Sequence, residues 1–229
     1  MLQLIKIKKK FTADQKSTSV LTSIDVTFEK NHSYALTGPS GSGKSTLMHI
    51  IAGIDTPTEG SVLLNHKDLS FYTDLERAQK ITLVTQHPFL IKELSVIENI
   101  CLAGSILKLP QHATYAHACE LLKIMHLQNL RDAPIRELSG GQQHRVALAR
   151  ALLVKPAFLC ADEITGSLDE KTGQEIIMFL KKYCKEEGIG LIISSHNPNI
   201  IEHMDLVFAL KDGILTFHQS SFTKKESNE

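Results

Sequence analysis

At 229 residues, with 42% hydrophobic and 22% charged side chains, the chain has a globular composition and enough length for one domain or a domain with an inserted lobe. Its 25 Lys and Arg balance 25 Asp and Glu, so it lacks the bulk positive field of a nucleic-acid binder, and nucleic acid is not expected as a partner. No stretch reaches the ~18 uncharged apolar residues of a membrane span, and Cys101, Cys119, Cys160 and Cys184 form no CxxC pair, which argues against disulfides and zinc and for a reducing cytosol.

The start "MLQLIKIKKKF" lacks the charge-then-apolar order of a signal peptide. Its run Lys6, Lys8, Lys9, Lys10 reads as a solvated strand end, with contact to anionic lipid heads as the alternative. Thr22, Ile24, Val26 and Phe28 alternate with polar residues, a strand of period two. Tyr34 to Thr37 is a short strand that runs into "GPSGSGKSTL", Gly38 to Leu47; a helix follows from Ser45 to Ala52, closed by Gly53. "DTPTEGSV", Asp55 to Val62, is a turn cluster leading into another strand, and Ile81 to Thr85 is a strand of the buried type. From about His87 to Lys155 the pattern is helical, and Ala118, Leu121, Leu122 and Met125 fall on one core-facing stripe.

Strands then return. Phe158 to Ala161 is an apolar run that ends in Asp162 and Glu163. Ile176, Phe179, Leu180, Tyr183 and Cys184 mark an amphipathic helix stopped at Gly188, Leu191 to Ser194 is a buried strand, and "LKDGIL", Leu210 to Leu215, signals a hairpin. The alternation predicts an α/β fold with a mostly parallel sheet, interrupted by a helical lobe at about 87–155. One domain over 1–220 and a polar, disordered tail over 221–229 are expected.

Gly38 to Ser45 matches the phosphate loop G-x-x-x-x-G-K-[ST], with a strand before it and a helix after it. Its glycines let successive backbone N–H groups wrap phosphates, Lys44 reaches the outer phosphates, and the Ser45 hydroxyl can ligate Mg2+. Gly38, Pro39, Ser40, Gly41, Ser42, Gly43, Lys44, Ser45 and Thr46 are therefore candidate nucleotide contacts. Asp162, at the end of a strand, suits a metal held through water, and Glu163 beside it is a candidate general base. Yet "RELSGGQQHRVALARAL", Arg136 to Leu152, is a second glycine-rich helix start with Ser139 as its cap, and one anion site needs only one.

Leu138 to Gln142 read "LSGGQ", and "CADE" ends at Glu163. With the phosphate loop before them, Gln86 after the strand 81–85, "SLD" at Ser167 to Asp169 and His196 after Leu191 to Ser195, they make an ordered set over nearly the whole chain. In this set the chain resembles the ABC (ATP-binding cassette) ATPases. The resemblance implies a P-loop NTPase of the ABC ATPase type, with an N-terminal antiparallel β-lobe and the helical lobe inserted in the core. It implies ATP and Mg2+ as cofactors, with Ser45, Gln86 and Asp162 near the metal and Lys44, Gln86, Glu163 and His196 at the hydrolysis step. It places Asp169 in the D-loop and Phe11 as the aromatic that stacks on adenine; the other reading of Phe11 is a core residue of the β-lobe.

It also implies head-to-tail pairing of two copies, in which Ser139, Gly140, Gly141 and Gln142 of one close over ATP held by the phosphate loop of the other. The resemblance further implies a separate transmembrane permease that docks near Gln86, and with it a cytoplasmic chain peripheral on the inner face of the membrane. Ile164 stands where Pro is usual, Asn197 where Asp is common, and Asn31-His32-Ser33 where Gly-Glu often precedes the strand, departures that bear on rate and coupling. "GPSGSGKSTLMHIIAGIDTPTEG" and "TGSLD" resemble the ATPases of lipoprotein-releasing, macrolide-exporting and cell-division complexes. A soluble cassette of chromosome, repair or translation machines is the contrasting class, and Thr46 to Glu137 lacks the sustained heptads of the chromosome type. A cassette that gates a membrane machine without transport stays open.

Overall fold

The computed structural model describes residues 1–13, 16–166 and 168–218; Ser167 and the tail over 221–229 lie outside the described residues. The first half runs β1 (Leu2–Ala13), β2 (Lys16–Phe28), β3 (Ser33–Thr37), α1 (Lys44–Ile51), β4 (Glu59–Leu64), β5 (Lys67–Asp68), α2 (Asp74–Lys80), β6 (Ile81–Val84) and α3 (Val96–Ile106). The second runs α4 (Gln111–Ile124), α5 (Gly140–Leu152), β7 (Phe158–Asp162), α6 (Glu170–Glu186), β8 (Gly190–Ser194), α7 (Pro198–Ile201), β9 (Leu206–Lys211) and β10 (Ile214–His218).

The larger sheet has the order β10-β9-β3-β8-β7-β6. Its strands pair in parallel except β10, which closes the β9 hairpin antiparallel at one edge. The smaller sheet, β2-β1-β4-β5, is antiparallel throughout. Both faces of the parallel sheet are covered. On β3, Ala35 joins the core shared with the helical lobe, whereas Tyr34 and Leu36 join the core formed with α1 and the antiparallel sheet. On β7, Leu159 and Ala161 face the first core, and Phe158 and Cys160 the second. Double burial is why these strands read as unbroken apolar runs instead of an alternation.

The helical lobe is α3, α4 and α5. A Cβ at Gly104 would fall 2.4 Å from Thr114 Cγ2, so α3 meets α4 at a residue without a side chain. The lobe's helices begin only at Val96, not near His87 as the pattern predicts. The preceding loop is held instead by Asn99, fully buried, which accepts the Ile91 N–H (2.8 Å) and donates to the carbonyls of Ile91 (2.9 Å) and Ser95 (3.0 Å). α2 goes unread in the sequence because it buries no residue and so carries no apolar stripe; a Thr73–Glu76 capping box starts it. Lys8 and Lys9 of the basic run are paired, with Glu59 (2.6 Å) and Asp55 (2.7 Å), whereas Lys6 and Lys10 are exposed.

Candidate active site

β3 delivers the chain to the glycine loop at the carboxyl edge of the parallel sheet. Gly38, Gly41 and Gly43 have φ of 144°, 77° and 102°, a region costly for side-chain-bearing residues. At Gly38 a Cβ would lie 2.2 Å from the Leu210 carbonyl oxygen, so the loop passes against β9 only as glycine. Gly43 precedes α1 with no side-chain cap, which leaves the first-turn amides of the helix for another acceptor. The Ser42 hydroxyl is buried without a hydrogen-bond partner.

Lys44 is 5% exposed. Its ammonium donates to the carbonyls of Gly38 (3.0 Å) and Pro39 (3.1 Å) and stands 3.7 Å from Glu163 Oε1. Across the cleft, Asp162 is 7% exposed and accepts a hydrogen bond from the Ser194 hydroxyl. The Glu163 N–H donates to Ser194 Oγ (3.0 Å) and to the Ser194 carbonyl (3.2 Å). Glu163 itself is left-handed, φ 48°, a conformation that costs about 1–3 kcal/mol in a non-glycine residue and that its surroundings must enforce.

Ser40, Gly41, Gly43, Lys44, Ser45, Thr46, Gln86, Asp162 and Glu163 line one cleft of about 410 Å³, with Val20 from β2. A second hollow of about 360 Å³ shares Glu163 and contains Asp169 and His196. Asp169 caps α6, accepting the Thr172 N–H at 3.0 Å, and the Thr172 side chain and amide hold its carboxyl below the usual carboxylate range. Asn197 caps α7 through Asn199 N–H (2.9 Å), and Ile164 is buried in the larger core. These two of the three departures thus serve as a cap and as packing.

The second glycine-rich helix start does not reach this cleft. Ser139 caps α5 in a capping box, accepting the Gln142 N–H (3.3 Å) while Gln142 Oε1 accepts the Ser139 N–H (2.8 Å). Ser139 and Gly140 are exposed, and none of Ser139, Gly140, Gly141 and Gln142 lines the cleft or the hollow. One link runs back: the His144 ring, one turn into α5, lies 2.8 Å from the Gln86 carbonyl and 3.0 Å from that of Gly140. Phe11 is 47% exposed on β1, with Lys9 Nζ 4.9 Å from its ring centroid, so it is not a core residue.

Sequence reading missed Ser194, His144 and Val20. Ser194 and Ser195 leave a trace, polar residues at the end of a buried strand; the other two carry no local sign.

A family model described as ABC transporter matches residues 21–166. The lipoprotein-releasing system ATP-binding protein LolD of Ehrlichia ruminantium (strain Gardel) is 37% identical over 214 residues, covering 91% of this chain and 93% of its own. LolD of Myxococcus xanthus (strain DK1622) is 35% identical over 217 residues, covering 93% and 97%. Among solved structures, the dimeric post-hydrolysis state of the ATP-binding cassette MJ0796 bound to ADP and Pi matches with a TM-score of 0.88 at 32% identity, covering 96% of this chain and 98% of that one. The cbiO1 protein of Clostridium perfringens, part of the ABC transporter complex cbiONQ, matches at 0.85 and 29%, covering 98% and 91%.

Proposed function

The chain belongs to the ABC transporter family, and from that premise we propose that it is the ATP-hydrolysing subunit of a membrane complex of the lipoprotein-releasing kind, working as a head-to-tail pair. The observation that carries the pairing is the separation of the two glycine-rich helix starts: α1 opens on the cleft, and α5 opens on solvent.

The cleft fits a nucleoside triphosphate. It offers uncapped helix amides and a buried ammonium. The metal donors fit as well. Ser45, Gln86 and Asp162 supply a hydroxyl, an amide and one carboxylate, and among the described residues no group of three or more His, Cys, Asp or Glu suits a metal. One carboxylate with neutral oxygens suits Mg2+ that takes its other ligands from phosphate and water. Bound Mg2+ neutralises charge on the outer phosphates.

In this reading Gly38–Thr46 bind the phosphates and Lys44 holds the outermost. Ser194 holds the Asp162 carboxylate that would bind the metal, and Glu163 takes the proton of the attacking water. Gln86 and His196 orient that water, and Asp169 braces α6 beside the partner copy. Ser139, Gly140, Gly141 and Gln142 of the partner copy complete the anion site through the amides and partial positive charge of their helix start.

No described helix is long and apolar enough to cross a membrane. Attachment to the inner face of the membrane then runs through a permease, in the groove of about 460 Å³ between β6, α3 and α5 where Phe89 is 78% exposed.

The test mixes a Lys44→Ala chain with a Ser139→Arg chain, both also carrying Glu163→Gln to stop turnover. Either homodimer has two damaged sites and should occlude no ATP. The mixed dimer should regain one intact site and occlude one nucleotide. No occlusion in verified mixed dimers would refute the shared site.

A further inference from the structure

We propose that His144 is a positioning residue: its buried imidazole ties the backbone of Gln86 to the first turn of α5, so that the glutamine of the chain's own cleft and the Ser139–Gln142 start offered to the partner copy shift together. The proposal rests on the roles given above to Gln86 and Ser139.

The ring is 3% exposed, and both of its nitrogens face carbonyl oxygens, Gly140 on its own helix (3.0 Å) and Gln86 in the loop after β6 (2.8 Å). Carbonyls only accept and a neutral imidazole carries one N–H, so one of the two contacts is a donated bond; we assign it to the shorter, Nε2–H to the Gln86 carbonyl, and a ring this buried is tolerated because it is bonded. The bond to Gln86 spans 58 residues. Elsewhere between β6 and the Asn99 anchor, the loop's described hydrogen bonds are local: the Thr85 hydroxyl to the His87 carbonyl (2.8 Å) and Leu90 N–H to the Pro88 carbonyl (3.0 Å). His144 therefore supplies the long-range restraint on this part of the loop.

What it restrains lies at the chemistry. A Cβ on Gly166 would fall 3.3 Å from Gln86 Nε2, and the Gly166 N–H donates to the Glu163 carbonyl at 3.1 Å, so the amide of Gln86 sits beside the turn that carries Glu163. A reacting geometry misplaced by about 1 Å loses on the order of 100-fold in rate. Rotation of α5 as the two copies close would pull on Gln86 through the same bond.

Two substitutions separate the two ring contacts. His144→Gln keeps a donor at the ε position, within reach of Gln86. His144→Asn keeps one only at the δ position, facing Gly140. Each is compared with the unaltered chain by melting temperature, by amide hydrogen exchange of the segment 84–92 without nucleotide, and by kcat and KM for Mg·ATP. With the melting temperature retained, His144→Asn should speed exchange of that segment and lower kcat about tenfold or more, with KM within about threefold. His144→Gln should restore both exchange and kcat. In a Gln86→Ala background, where the side chain being positioned is gone, His144→Asn should lower kcat no further.

Unaltered exchange over 84–92 in His144→Asn, or a kcat loss that adds in full to that of Gln86→Ala, would overturn the proposal while leaving the ATPase reading standing. If His144→Asn does not fold, His144→Gln decides: a folded Gln variant that loses kcat and loop protection overturns it. A Gln86→Ala chain that hydrolyses ATP normally would instead remove the role assigned to Gln86, and this proposal with it.

Discussion

Lys44 and Glu163, 3.7 Å apart, are each fixed by the backbone around them, the lysine by the carbonyls of its own loop and the glutamate by a left-handed turn bonded to Ser194. The lysine side chain and the glutamate backbone are thus anchored by groups of the chain itself. Phe11 is the opposite case, an aromatic left in solvent on β1 with a cation over its ring. Its exposure argues that Phe11→Ala should change stability by no more than about 0.5 kcal/mol. If the ring stacks on adenine, the same change should weaken ATP binding by about 1–3 kcal/mol, and Phe11→Tyr should be mild. Titration with a fluorescent ATP analogue, beside a melting curve, checks both; unchanged affinity in the folded alanine variant removes Phe11 from the site.

At the scale of elements, end bonds fix where each helix starts, and capping boxes open α2, α3 and α5. One clip joins elements far apart in sequence. Asp205, just before β9, pairs with Lys181 of α6 (2.7 Å) and accepts from both the N–H and the hydroxyl of Ser33 at the start of β3 (2.8 Å each). Burial alone would raise its pKa, but the Lys181 and Ser33 bonds outweigh it and hold the carboxyl below its ordinary 3.8. A carboxyl depressed by folding stabilises the native state above its unfolded pKa, and that contribution is lost as pH falls through the folded value. Asp205→Asn should therefore cost about 1 kcal/mol at neutral pH. The gap from the unaltered chain should close in the acid range below 3.8, as urea denaturation at a series of pH values would record. A gap independent of pH would mean that the clip works by shape rather than charge.

At the scale of the molecule, two sites face different ways: the nucleotide cleft at the carboxyl edge of the sheet, and the apolar groove at the β6 edge where Phe89 stands out. The Gln86 loop runs from one to the other, which is the geometry needed to pass a change in the cleft to a docked partner. Phe89→Asp puts a charge into the groove without touching either core, so melting temperature and ATP affinity should stay the same. Recovery with membranes that contain the permease should fall by at least tenfold, the effect of about 1.4 kcal/mol. Protein-free liposomes should bind neither form, because Lys8 and Lys9 already have acidic partners. Binding to such liposomes would return the basic run to consideration as a lipid contact.

The parts legible in the sequence are those whose geometry is set by near neighbours. A glycine loop between strand and helix, a lysine at its end, two acids closing an apolar strand and a serine before two glycines each fix a local backbone shape, and each stands in the structure where the pattern puts it. Double-sided burial and the helical lobe follow from the same runs, although the lobe's first boundary does not, since Asn99 rather than an apolar stripe organises that loop. Only the tertiary structure decided that Ser194 orients Asp162 and Glu163, that His144 reaches Gln86, that Phe11 stays exposed, and that the α5 start turns away from its own cleft. Those contacts join residues 31, 32 and 58 positions apart through parallel strand pairing and helix packing, and no local pattern encodes which distant group a buried side chain will meet.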